Sequence, residues 1–138
     1  MRSVPELRGN KAVEDAAIAF VIQREREAGR EAVDTRNVGA PADIESPPRL
    51  VEVKAVGKPS GRGDGFLWME TRQVEAAREN PDFYIYLVEN VRQGDPAFFA
   101  LRVFGGEQLQ RILERAKERR YFEVPLPVRE YDSAPTDL

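Results

Sequence analysis

Two segments of the chain, FYIYLVENV at 83–91 and AFFALRVF at 97–104, are dense in β-branched and aromatic side chains. Strands of that kind are covered on both faces, and the Gly94-Asp95-Pro96 turn between them predicts a hairpin of interior strands. Their Tyr and Phe side chains are core before they are base-stacking platforms. The cover is legible as well. Val13, Ala16, Ala17, Phe20 and Val21 recur at helical spacing and predict a helix over 10–28, with Asn10 as its N-cap and Gly29 as its stop. Residues 69–80 read as a second helix, closed by Pro81. Leu109, Ile112, Leu113 and Ala116 predict a third, from Glu107 to Arg119. Between the first two helices lie EAVDTRNV (31–38), ADIES (42–46) and LVEVKAV (50–56), three short strands, the last two joined through Pro47-Pro48. The order is helix, three strands, helix, two strands, helix. It predicts a mixed α/β fold, a central sheet of about five strands flanked by helices.

At 138 residues the chain fits one domain with a real core, here residues 1–120. Residues 121–138, with prolines and no period, read as an irregular strap over the body or a frayed tail. No run approaches the roughly 20 apolar residues of a membrane span. MRSVPELRGN has no apolar h-region, so a cytoplasmic protein is expected. Composition excludes a great deal of chemistry. With no cysteine and no histidine there are no disulfides, no thiolate or imidazole metal ligands and no His-dependent triads or dyads. Proton transfer must fall to Asp, Glu, Lys, Tyr or solvent, and any metal must be a hard ion held by oxygen. The net charge of −3 means that nucleic acid could be held only by a local patch.

The chemistry is concentrated between Asp43 and Lys54. In LVEVKAV, Val51, Val53 and Ala55 share one strand face while Glu52 and Lys54 share the other, about 7 Å apart at ~3.3 Å rise per residue. If the preceding strand pairs alongside, Asp43 comes beside Glu52. Two carboxylates so placed repel each other, and a divalent cation relieves the repulsion. The Val53 carbonyl offers a third oxygen, and Lys54 would stand next to the nucleophilic water or the phosphate. The plain alternative is an amphipathic edge strand with a solvated Glu-Lys face. Glu14, about 100° around the first helix from Val13, either reaches toward this sheet edge or is a helix-margin Glu near a positive N-terminus.

Asp43, eight intervening residues and then Glu52-Val53-Lys54 resemble the active-site pattern of the PD-(D/E)xK nuclease superfamily. More closely, the chain is similar to the NO VEIN carboxy-terminal domain family, a family of unknown function that looks like a branch of that superfamily. The resemblance runs from Gly9-Asn10-Lys11-Ala12-Val13-Glu14 through Asp43-Ile44-Glu45-Ser46 and Val51-Glu52-Val53-Lys54. It continues in Gln73-Val74-Glu75-Ala76-Ala77 and Tyr84-Ile85-Tyr86-Leu87-Val88. It implies a restriction-endonuclease-like core, with Asp43, Glu52 and the Val53 carbonyl as ligands of Mg²⁺ or Mn²⁺ and Lys54 as catalytic lysine. Glu14 and Gln73 would assist. Where the pattern would place a Thr and, three residues on, a Glu, this chain has Glu70 and Gln73.

Two further motifs have readings of their own. GKPSGRGDG (57–65) spaces Gly61, Gly63 and Gly65 around Arg62 and follows them on from Lys58. It is either a loop that closes on phosphates or a mobile surface loop. Arg111, Arg115 and Arg119 align on the third helix, but Glu107, Glu114 and Glu118 are interleaved, which favours a solvated, salt-bridged face over a phosphate-binding stripe. The expected function is a metal-dependent nuclease acting on nucleic acid, DNA before RNA, as a homodimer or part of a larger assembly, with no membrane partner. The rivals are a non-catalytic module of the same fold that recognises nucleic acid or protein, and a purely structural domain.

Overall fold

The computed structural model describes residues 4–59, 65 and 67–137. Its elements are α1 (Asn10–Glu27), β1 (Val33–Asp34), β2 (Ile44–Ser46), β3 (Arg49–Ala55), α2 (Thr71–Glu79), β4 (Phe83–Glu89), β5 (Ala100–Phe104), α3 (Gly106–Leu113) and α4 (Val128–Ser133). The strands form one five-stranded sheet in sequence order. All neighbours are antiparallel except β3 and β4, which pair in parallel from Leu50↔Phe83 to Ala55↔Val88. A parallel neighbour needs a crossover, and α2 supplies it.

Alternation along the strands assigns each helix to a face. Val51 and Val53 join Ile44, Tyr86 and Val88 under α1, whose Val13, Ala17, Ile18 and Val21 are buried against them. The opposite face carries Phe83 and Ile85, covered by Ala77 of α2 and by Leu109 and Leu113 of α3. Glu52 and Lys54 point to this second face. β3 and β4 are therefore interior strands with helices on both sides, as their composition requires. Among the described residues no helix is long and apolar enough to cross a membrane.

Several local details differ from the sequence expectation. The N-cap of α1 is Gly9 at φ 82°, and Asn10 begins the helix without a capping bond from its side chain. The other end follows the expected glycine stop: Gly29 takes φ 88°, while Arg30 N donates to Glu25 O and Gly29 N to Arg26 O, a Schellman closure. β5 is an edge strand with Arg102 and Val103 exposed, so only one strand of the expected hairpin is interior. Helix α3 stops at Leu113 rather than Arg119, its last turn tightening into i→i−3 bonds from Arg115 and Ala116. From Glu114 to Arg119 the single apolar side chain is Ala116, which is exposed, and a short helix without a packing face is unstable in water. Arg115 and Arg119 thus never join Arg111 in a helical stripe. Every described residue from 114 to 137 is exposed, including the unforeseen short helix α4. In the 57–65 loop, Lys58 and Gly65 are exposed, whereas Gly61, Arg62 and Gly63 lie outside the described residues.

Candidate functional site

β2 is short, and that sets up the site. Its ladder with β3 runs from Ser46↔Arg49 to Ile44↔Val51 and ends there, leaving the Val53 amide beyond the last paired residue. Asp43, the residue just before β2, fills the gap: its Oδ2 accepts from Val53 N at 2.9 Å. A carboxylate thereby takes the place of a strand carbonyl and is held firmly at the end of the ladder. The Val53 carbonyl leaves β3 on the same side as its N–H, toward Asp43.

Glu52 sits on β3 opposite Ile85 of β4 and is only 3% exposed. The solvated edge strand considered for VEVK is thus excluded, because the strand is interior and the carboxyl is buried. Glu52 Oε2 lies 3.2 Å from Lys54 Nζ, whereas Oε1 is buried with no hydrogen-bond partner. Burial first, and then the Asp43 carboxylate beside it, push the Glu52 carboxyl up to about 8, and Lys54 only partly opposes the shift. The two carboxyls are near enough that Asp43 raises the proton affinity of Glu52. Two carboxyls so placed need a positive charge, and a proton or a hard cation can supply it. Lys54 Nζ also donates to the backbone carbonyl of Trp68, which ties the approach to α2 onto the site.

Glu14 and Gln73 are not brought to this point. Glu14 is on α1, across the sheet from Glu52, and its carboxylate lies 3.3 Å from Arg36 Nη1. Arg36 also holds Asp15 and Asp34, each at 2.8 Å, pinning α1 to the end of β1. Gln73 caps a helix instead: its Oε1 accepts from Glu70 N at 3.0 Å and closes the first turn of α2. The Glu70/Gln73 pair that departs from the family pattern is therefore used to start the helix. Among the described residues, no group of three or more acidic side chains that could hold a metal is present. The oxygen donors that the site offers are the Asp43 and Glu52 carboxyls, with the Val53 carbonyl beside them.

Sequence reasoning missed two features. One is a buried polar network under α1. Arg30 clasps Glu25 from the Schellman turn, Tyr86 Oη donates to Glu25 Oε1 at 3.0 Å, and Arg49 Nη1 donates to Tyr86 Oη at 2.7 Å. Burial opposes ionisation of Glu25, but the bonds from Arg30 and Tyr86 outweigh it and lower its pKa. No spacing rule links residues 25, 49 and 86. The other is Trp68, 74% exposed beside Lys54. The one available signal was that it is the chain's single tryptophan and stands in a segment without an apolar period.

Fold and site together define a mixed α/β domain with an acidic pair, a buried Glu52 beside a half-buried Asp43, and a lysine at the end of a β-hairpin. The family model described as "Protein NO VEIN, C-terminal" matches residues 13–101, and the chain belongs to that family. That span holds Asp43, Glu52, Lys54 and Trp68. No curated protein and no solved structure matches the chain.

Proposed function

We propose that this domain is a divalent-metal-dependent nuclease of the PD-(D/E)xK type, hydrolysing phosphodiester bonds in nucleic acid, with DNA as the first substrate to test. One observation carries the reading: Glu52 is buried on an interior strand, with one oxygen on Lys54 and the other unpartnered beside Asp43. A buried carboxyl is costly unless something binds it, and this one is set next to a second carboxylate and a lysine. The oxygen-only donor set of Asp43, Glu52 and the Val53 carbonyl fits Mg²⁺ or Mn²⁺. Bound there, the ion would supply positive charge to a phosphate oxygen and acidify nearby water. The Val53 N–H keeps Asp43 oriented, and Lys54 presents a fixed positive charge where negative charge builds up at phosphorus. Glu14 and Gln73 act only through the scaffold, by way of Arg36 and the start of α2. The small, net-acidic chain favours retention of substrate by a second copy or a larger assembly.

A second reading keeps the fold and the binding but not the cleavage. It is favoured by the prior engagement of Lys54 with both Glu52 and the Trp68 carbonyl. Cleavage assays on single- and double-stranded DNA and RNA with Mg²⁺ or Mn²⁺ separate the two. For the nuclease, Glu52→Gln abolishes cleavage. Lys54→Ala loses most of it, while affinity falls by about one phosphate contact's worth of salt dependence. Cleavage at the wild-type rate in Lys54→Ala refutes the mechanism. A wild type that binds nucleic acid but cleaves nothing with either metal establishes the recognition module.

A further inference from the structure

Tryptophan is costly to leave in water, because its large ring buries well and packs strongly. Here the only tryptophan is 74% exposed, and its position is not that of a loose loop side chain. The backbone carrying it is tied at Trp68 itself and on its C-terminal side. Lys54 Nζ holds the Trp68 carbonyl, Met69 packs into the core cluster of Ala77, Phe83 and Leu109, and Glu70 is closed onto Gln73 at the start of α2. Arg72 then ties that first turn to the segment leading into Asp43 by donating to Ala40 O at 3.0 Å. A backbone anchored from Trp68 into α2 thus presents an exposed indole on the residue whose carbonyl Lys54 holds.

We propose that Trp68 is a stacking platform for an unpaired nucleobase next to the Asp43–Glu52–Lys54 site, so that the domain engages its substrate as a single strand. The inference rests on the nucleic-acid reading above and adds to it the form of the substrate. A base inside a duplex has both faces covered by its neighbours, so an indole can take only one that is unstacked, as in a single strand, a flap or a frayed end. A protein partner is the less suitable occupant. Of the described residues around the indole in sequence, Leu67 is apolar and exposed and Met69 is turned partly into the core, while Glu70, Thr71 and Arg72 are polar and exposed, whereas a protein hot spot sits within a broader apolar patch. Lys58 and Arg72 are exposed cations on the segments flanking the site, suited to the phosphates on either side of a stacked base.

Being the only tryptophan, Trp68 reports on itself. The test uses the full chain carrying Glu52→Gln, without metal, so that binding is read apart from cleavage. Tryptophan emission is titrated with a short oligothymidylate, with the matching oligouridylate and with a duplex of equal length. Affinity is measured in parallel by anisotropy of labelled strands over a range of salt. Stacking predicts quenching by single strands and weaker binding of the duplex. Trp68→Ala should lose about ten-fold or more in single-strand affinity, and Trp68→Phe should recover most of it. The slope of log affinity against log salt should not change in Trp68→Ala, since no phosphate contact is lost; Arg72→Ala should make it shallower. The two oligonucleotides differ in the sugar and in the thymine methyl group, and preference for either supports the platform. Unchanged single-strand affinity in Trp68→Ala, or equal losses for single strand and duplex, overturns it. If the wild type proves unable to cleave yet Trp68→Ala loses single-strand affinity alone, the platform stands and the nuclease reading falls.

Discussion

Replacing Glu52 with Gln isolates the cost of its buried charge. The folded carboxyl titrates at about 8, against an ordinary value of 4.5. Between those limits the folded state holds a proton that the unfolded chain has released, so stability falls as pH rises. The slope is about 1.4 kcal/mol per pH unit, and the loss reaches several kcal/mol by pH 8, where the folded carboxyl is half ionised; the curve flattens above that pH, once both states are ionised. That is a large share of the 5–15 kcal/mol typical of a domain. The chain lacks histidine and cysteine, so the other side chains that normally titrate in this window are missing. Glutamine mimics the protonated acid and can donate to Asp43. Urea unfolding of both proteins at pH 5, 6, 7 and 8 without divalent metal should therefore show equal stabilities near pH 5. At pH 8 the variant should be more stable by several kcal/mol. A wild type as stable at pH 8 as at pH 5, or a variant that declines in parallel with it, would refute the placement of Glu52 in a desolvated pocket beside Asp43.

Two other outcomes can be checked on the same material. Mg²⁺ or Mn²⁺ at ten times its Kd should stabilise the fold at pH 8 by about 1.4 kcal/mol, seen as a higher Tm, and Asp43→Asn should remove the shift. Gly105→Ala should cost about 1–3 kcal/mol in chemical unfolding, because a Cβ there would fall 2.2 Å from the Tyr84 ring, itself packed under the Arg49 guanidinium; an unaffected variant would mean that the ring is free to move.

How much the sequence disclosed depended on whether a feature was local. The alternation in VEVK placed Glu52 and Lys54 on one face, and the residues of 83–91 announced a strand covered on both sides. The element order followed from period and punctuation alone. Where the outcome turned on distant partners, the pattern was silent or misleading. The helical spacing of Ala116 extended a helix for which no surface remained to pack against. Glu14 has the right spacing for either face of the argument, and Arg36, twenty-two residues on, decided it. Gln73 stands at a site position in the sequence pattern, but its side-chain carbonyl closes the turn at Glu70. Nothing in the order of residues says that the Lys54 ammonium meets the Trp68 backbone.

The single parallel pairing has a consequence for how the molecule assembles. β2 meets β3 across a tight turn, and β4 meets β5 across a short connection, so both pairings close small loops and can form early. β3 and β4 are separated by residues 56–82, and their pairing must wait for that longer closure. Glu52 and Lys54 lie along this late seam, opposite Ile85 and Leu87. Until the seam closes, the Glu52 carboxylate stays in water with its ordinary proton affinity. Its dehydration falls on the docking of the two halves, so alkaline pH should slow this last step of folding while leaving the hairpins intact.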